Sequence, residues 1–277
     1  KSRRFMLYLG ASPTEILWKG TKAPVFNRKQ LCALLIPLML EQILASLMGM
    51  ADTMMVSNVG SHAIAAVSLV DSLNIVMINL FSAMATGGSI ICSQYIGRDD
   101  LRQANETARQ LLLSITAISL VIGAVCLTLR RPLLSLIFGR VEDTVMENAE
   151  VYTLITALSF PFLAMYNAGA ALFRASGNSR LPMTVSILSN IINIIGNAIL
   201  IFGLKMGVLG AAIPTLLGRV FCAVVILYKL RQPHQKIIVH DYRAIRPDFK
   251  RIGHILRIGV PTGVENSMFQ FGKLVIQ

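Results

Sequence analysis

Four of the 14 acidic residues, Glu41, Asp52, Asp71 and Glu265, fall inside stretches that are otherwise strongly apolar. A carboxylate at the centre of a bilayer helix costs about 2.5–3.5 kcal/mol on insertion scales, so such residues face a partner or a wet cavity and bind ions, protons or cationic ligands. Glu41 and Asp52 are 11 residues apart, which places them on one helical face about 16 Å from each other. Pro37 precedes Glu41 by one turn and loosens the hydrogen-bond ladder there. A second polar feature is the series Ser186, Asn190, Asn193 and Asn197. Its spacing of i, i+4, i+7 and i+11 makes one continuous stripe on a helix. The stripe can serve as interhelical packing, at about 0.6 kcal/mol per contact. It can equally supply the amide and oxygen neighbours that Asp52 needs if it holds a proton or a hard cation. Further on, Pro214 frees a backbone carbonyl and Thr215 adds a hydroxyl. Arg219 lies a turn beyond, deep in an apolar run, and must pair with an acid or act on substrate by repulsion. Asp71, about two turns into its run, reads equally as a water-exposed rim residue or a functional one.

Other chemistries find no support. The four cysteines lie in apolar runs with no CxxC spacing and no histidine at ligand distance, which fits small packing residues. The four histidines are scattered, no HExxH occurs, and no GxxxxGK[ST] loop is present to hold a nucleotide. An enzyme, an ATP-driven pump and a cofactor-dependent protein are therefore not expected.

These residues are positioned by membrane-spanning helices. The chain is 54% hydrophobic and 14% charged, with a mean hydropathy of +0.63, whereas soluble domains are nearer a quarter charged. The segments Gln110–Leu129, Val151–Phe173 and Leu181–Leu204 carry no charge, and about 20 such residues cross a bilayer as a helix. The fold expected is all-α and polytopic. Six complete spans are read at 31–56, 63–96, 110–129, 151–173, 181–204 and 208–229, with a seventh opening near 253. The second is longer than a bilayer core and must tilt or protrude. Leu133–Phe138 reads as a short surface turn after Arg130-Arg131-Pro132. The chain thus divides into an N-terminal segment 1–30, a six-helix lobe 31–229, a basic connector 230–252 and the start of a second lobe, 253–277. Phe249, Ile252, Ile255 and Leu256 fall on one face, as in a helix lying in the membrane interface or the basic flank of the next span. The run Phe5–Leu9 is too short for a signal peptide, and both ends, Lys1 and Gln277, read as cut from a longer chain.

The net charge of +12 points elsewhere than to nucleic acid, because Lys and Arg sit in the gaps between spans. Twenty of the 26 lie in 1–30 and in the gaps after spans two, four and six; four lie in the opposite gaps. The positive-inside rule makes the first side, and the N-terminus, cytoplasmic. Arg219 and Lys273 lie inside spans. The methionines at 48, 50, 54 and 55 suit either ordinary packing or a pliable ligand lining. Pro37 with Glu41-Gln42, and Pro261 with Glu265-Asn266, begin spans one and seven in the same way. Six spans separate them, so the two halves would run parallel about an axis along the membrane normal.

The order Pro37, Glu41-Gln42, Gly49, Asp52-Thr53, Val56 and Gly60 resembles the multidrug and toxic compound extrusion family, MATE. So do Ala65-Ala66-Val67, Gln94-Tyr95-Ile96-Gly97, Pro161 with Phe173-Arg174-Ala175-Ser176-Gly177-Asn178, the series Asn193, Asn197 and Phe202-Gly203, and Gly210-Ala211-Ala212 with Thr215. The resemblance spans about 30–277. It implies twelve helices in two six-helix lobes, a monomer when full length, residing in the cell membrane. It also implies efflux of cationic or amphiphilic organic compounds driven by inward Na⁺ or H⁺. It places the ion site on Asp52, Asn193, Asn197 and Thr215, with Asn167 as a contributor. Glu41 and Asn190 are further candidates for cation coupling or substrate, and Glu265 is a candidate in the second lobe. The departure is Asn197, where the family pattern has an acid. Two other readings stay open on the residues alone: a flippase for lipid-linked oligosaccharides, which a basic central cavity would favour, and a seven-helix receptor.

Overall fold

The computed structural model describes residues 28–139, 142–233, 237–239 and 247–276, with backbone alone for 28–31, 33–34 and 264–276. Every regular element in it is helical: α1 (Arg28–Ser57), α2 (Ser61–Gly97), α3 (Leu101–Thr128), α4 (Arg130–Phe138), α5 (Asp143–Leu158), α6 (Phe160–Ala175), α7 (Arg180–Asn197), a π-helical turn (Ala198–Gly203), α8 (Val208–Leu230) and α9 (Phe249–Ile276). Five of these helices are long and apolar enough to cross a bilayer by themselves, and α5 with α6 forms a sixth span bent by 45°. The polytopic helical architecture expected from the sequence is the one observed.

The bend has a covalent cause. Pro161 follows the junction residue Ser159 and has no N–H to return to the carbonyl one turn back. At the junction the Ser159 hydroxyl donates to the Thr156 carbonyl at 2.6 Å. The π turn is set by Leu204, whose N–H reaches the Ile199 carbonyl five residues earlier at 3.0 Å. Such widened turns often adjoin functional positions, and this one begins directly after Asn197.

Two local expectations are corrected. Leu133–Phe138 is not a turn but most of α4, seated by Leu134, which is buried; one apolar anchor suffices to dock a short helix against α5. Residues 249–257 are not a separate interfacial helix but the first turns of α9. Phe249 is exposed while Ile255 is fully buried, so the apolar face is only partly used against protein. Asp248 starts the helix by accepting from the Lys250 and Arg251 backbone N–H groups at 3.1 and 3.4 Å. The Arg251 N–H, foremost, holds its carboxyl below the usual carboxylate range. The described parts of the connector are moored to α3. Ile237 and Val239 are buried, and Asn105 and Gln110 accept from the N–H groups of Ile238 and Asp248 at 3.0 Å each.

α2 occupies the middle of the bundle, packed on α3, α5, α6 and α9. One core joins Phe81, Leu111, Ile115, Phe160, Leu172 and Ile226, with Phe81 and Phe160 edge to face at 6.2 Å. A second surrounds Val56, Val70, Leu134, Tyr152 and Ala212. Close approach of α9 to α2 needs Gly87: a Cβ there would lie 2.6 Å from the Gly259 nitrogen and the Ile255 carbonyl. Gly196 likewise lets α7 meet Pro214 of α8, which brings the polar stripe of α7 alongside Thr215. α1 is different. Met39, Leu47, Met50 and Met54 are exposed, and its main neighbour is α7. Its tethers include two polar contacts.

Candidate functional site

Asp52 sits near the end of α1, and Asn193 and Asn197 end α7 on the face turned toward it. The Asn197 amide donates to Asp52 Oδ1 at 2.6 Å and to Asn193 Oδ1 at 2.9 Å. The Asn193 amide donates to the Thr215 hydroxyl at 3.0 Å, and that hydroxyl donates to the Ala211 carbonyl at 3.0 Å. Asn193 and Asn197 are buried, and Asp52 and Thr215 are half-buried. Three helices therefore deliver four polar side chains to one place.

Asn193 has two orientations available, and they differ chemically. In the first, its oxygen and Asp52 Oδ1 stand 3.0 Å apart. Two acceptors at that distance require a proton on Asp52 or a cation between them. In the other, the amide is turned over and its nitrogen donates to Asp52 at 3.0 Å. Its oxygen then accepts from the Thr215 hydroxyl and backbone N–H at 3.0 and 3.3 Å. That arrangement suits an ionised Asp52, at the cost of two amide nitrogens 2.9 Å apart. Asn197 Oδ1 is buried with no hydrogen-bond partner.

A small cavity of about 20 Å³ opens beside Asp52, and its polar lining is Asp52, Thr53, Ser68, Asp71, Tyr152 and Thr215. Asp71, left between rim and function by the sequence, thus shares a cavity with Asp52. Its Oδ1 accepts from the Tyr152 hydroxyl and from the Asn74 amide, each at 3.3 Å. The signal that could have found it was its intramembrane position; Tyr152 gave none. Arg219 donates to the Ser159 hydroxyl at 2.6 Å, at the α5–α6 bend. It is absent from the lining of this cavity.

The remaining candidates lie apart from this set. Glu41 Oε2 pairs with Arg174 Nη2 at 2.7 Å, and Tyr166 donates to Glu41 Oε1 at 3.2 Å. Arg174, at the end of α6, was not singled out as a partner. Asn190 is half-buried one turn earlier on α7, outside the hydrogen-bonded four. Asn167 donates to the Leu163 carbonyl of its own helix at 3.0 Å. The side chains of Glu265 and Lys273 lie outside the described residues. No group of three His, Cys, Asp or Glu side chains able to hold a metal ion occurs among the described residues.

A family model described as MatE matches residues 37–199, more than half of the chain. The chain belongs to the MatE family. Similar proteins include "Uncharacterized transporter YisQ" of Bacillus subtilis (strain 168), 29% identical over 95% of this chain and 58% of that protein. "Probable multidrug resistance protein NorM" of Thermotoga maritima is 28% identical over 90% of this chain and 53% of that one. Among solved structures, MATE in the bent conformation superposes with a TM-score of 0.80 at 26% identity, covering 89% of this chain and 55% of that one. An outward-facing multidrug resistance MATE family transporter gives a TM-score of 0.79 at 25% identity, covering 90% and 56%. An inward-facing one gives 0.72, also at 25%, covering 83% and 53%. The MatE chain described here spans a little more than half the length of these relatives. It is a multi-pass membrane protein of all-helical fold.

Proposed function

We propose that the transporter containing this MatE lobe is a secondary active exporter of cationic or amphiphilic organic compounds, driven by inward Na⁺ or H⁺, with Asp52 as the coupling carboxylate. One observation carries the reading: an intramembrane carboxylate surrounded by Asn193, Asn197 and Thr215 from two other helices. The set fits either ion. A proton on Asp52 turns the Asn193 oxygen into its acceptor across 3.0 Å. A hard cation such as Na⁺ takes oxygen ligands, and the Asp52 carboxylate, the Thr215 hydroxyl and the orphan Asn197 oxygen are of that kind. Either ion neutralises the carboxylate. An organic cation competes for the same charge, which is the elementary requirement for exchange. Relatives named as multidrug resistance proteins support the substrate class. Arg219 is engaged by Ser159 at the α5–α6 bend and does not line the cavity beside Asp52, so it lends no support to the flippase reading.

The charge count supports a cytoplasmic side for the N-terminus and for the loops near Arg98, Arg174 and Arg243. The deciding experiment reconstitutes the intact transporter in proteoliposomes and follows a fluorescent organic cation under Na⁺ or pH gradients. Asp52→Asn should abolish gradient-driven transport while the protein stays folded. Normal rates with unchanged ion dependence in that variant would assign coupling to other residues.

A further inference from the structure

We propose that Asp71 is a second coupling carboxylate, lining one cavity with Asp52, and that Arg219 balances the pair so that one monovalent cation completes the site. The inference rests on the coupling role of Asp52 and extends it to a residue on a different helix.

The cavity comes first. Its volume of about 20 Å³ suits one water-sized occupant, for which about 10–15 Å³ is enough. Carboxylates enter its wall from α1 and α2, and hydroxyls from Thr53, Ser68, Tyr152 and Thr215 complete an oxygen lining. Hard monovalent cations take this kind of donor. Asp71 is also aimed and fixed: the Tyr152 hydroxyl and the Asn74 amide both donate to its Oδ1 at 3.3 Å. Two donors on one oxygen leave its other oxygen available to the cavity.

Charge arithmetic then gives the stoichiometry. Arg219 lies one turn beyond the cavity-lining Thr215 on α8, and Ser159, to which it donates, lies two turns beyond the cavity-lining Tyr152 on α5. No direct ion pair joins Arg219 to either carboxylate; its hydrogen bond goes to Ser159 at 2.6 Å. Arg219 therefore works as a fixed countercharge held by the α5–α6 bend. Two carboxylates and one guanidinium leave one negative charge, which one Na⁺ or one proton cancels. In this way Asp71, from α2, takes the place of the acid absent at position 197, without raising the number of ions per cycle. The Tyr152 bridge links that charge balance to α5.

The test uses the intact transporter in proteoliposomes, with Na⁺ and H⁺ as the probes and the ion dependence of fluorescent-cation transport as the readout. Asp71→Asn leaves Asp52 and Arg219 balanced, so ion affinity should fall at least about tenfold. Arg219→Gln removes the guanidinium charge, leaves two negative charges, and should make the dependence on ion concentration steeper. The double variant Asp71→Asn/Arg219→Gln restores a single negative charge and should recover much of the affinity lost by Asp71→Asn alone. Ion-induced thermal shift of each purified variant gives the same ranking independently of transport and reports folding. An unchanged ion dependence in Asp71→Asn overturns the proposal, as does a folded double variant no better than Asp71→Asn. If Asp52→Asn keeps normal coupling, the underlying assignment fails instead. If Asp52→Asn loses coupling while Asp71→Asn keeps it, only the role of Asp71 falls.

Discussion

Glu41 and Arg174, 133 residues apart in the chain, meet at 2.7 Å and tie α1 to the end of α6. Three turns further along α1, Asp52 is held by Asn197 at 2.6 Å. Between these tethers much of the helix surface is exposed and apolar. The position of α1 against the bundle therefore depends on two carboxylates that differ in kind. Glu41 has a permanent cationic partner and a tyrosine, whereas Asp52 has only neutral amides. Neutralising Asp52 changes one tether and leaves the Glu41 tether in place.

The first prediction follows from that contact. The pair is largely shielded, with side-chain exposures of 33% for Arg174 and 16% for Glu41. Removing one member of a fully buried pair costs about 3–5 kcal/mol, and exposed pairs are worth about 1 kcal/mol or less. Glu41→Gln should fall between, at about 1–2 kcal/mol, because the amide still accepts from Tyr166. A double-mutant cycle with Arg174→Gln, read by thermal unfolding in detergent, should show coupling of the same size. Additive losses would mean that the two side chains do not hold α1.

The second prediction concerns the seating of α9. Gly87→Ala puts a methyl 2.6 Å from backbone atoms of Gly259 and Ile255, and backbone cannot step aside as a flexible side chain can. α9 must shift, and overpacking of this sort costs about 1–3 kcal/mol. Gly253→Ala, in α9 itself, is the control, since a Cβ there would meet nothing within 4 Å. Thermal stability of the intact protein should drop clearly for the first and little for the second.

How far these features were legible in the sequence depends on their physics. The spans were, because the hydrocarbon core imposes about 20 apolar residues on each crossing. The α7 stripe was, because helical periodicity alone aligns Asn193 with Asn197. That Asp52 lies against that stripe required the resemblance, since nothing local links positions 145 residues apart. The bend at Ser159 was concealed: Val151–Phe173 reads as one uninterrupted run, and the break depends on how Pro161, the Ser159 hydroxyl and Arg219 meet in space. Arg174 was counted as a loop charge, because its pairing with Glu41 is tertiary. Asn167 shows the converse, a residue of suitable type whose amide is engaged by its own helix backbone.

A third prediction tests orientation. On the uneven distribution of Lys and Arg, the Arg174 end of α6 is expected in the cytoplasm and Lys205, after the π turn, outside. Cysteine introduced at Lys205, in an otherwise cysteine-free background, should react with a membrane-impermeant maleimide applied to intact cells, and cysteine at Arg180 should not. The reverse pattern would invert the lobe and with it the direction of transport.

The last prediction returns an acid to α7. In Asn197→Asp the new carboxylate would stand where the amide now approaches Asp52 Oδ1 at 2.6 Å. Two ionised oxygens cannot share that distance, so a proton or a cation must lie between them. The site would then carry one more negative charge than at present, and a second monovalent ion would be needed to neutralise it. Transport should persist, because the oxygen-rich lining is kept, but its dependence on Na⁺ or H⁺ should become steeper, with the Hill coefficient moving from about one toward two. Asn197→Leu, which removes both the donor to Asp52 and the orphan oxygen, should instead weaken ion dependence at least about tenfold without steepening it. Both variants are compared at matched expression, with initial rates of fluorescent-cation efflux from proteoliposomes over a range of ion concentrations. If Asn197→Asp leaves the slope at its present value, position 197 does not share an ion with Asp52, and the amide serves only to hold α1 against α7.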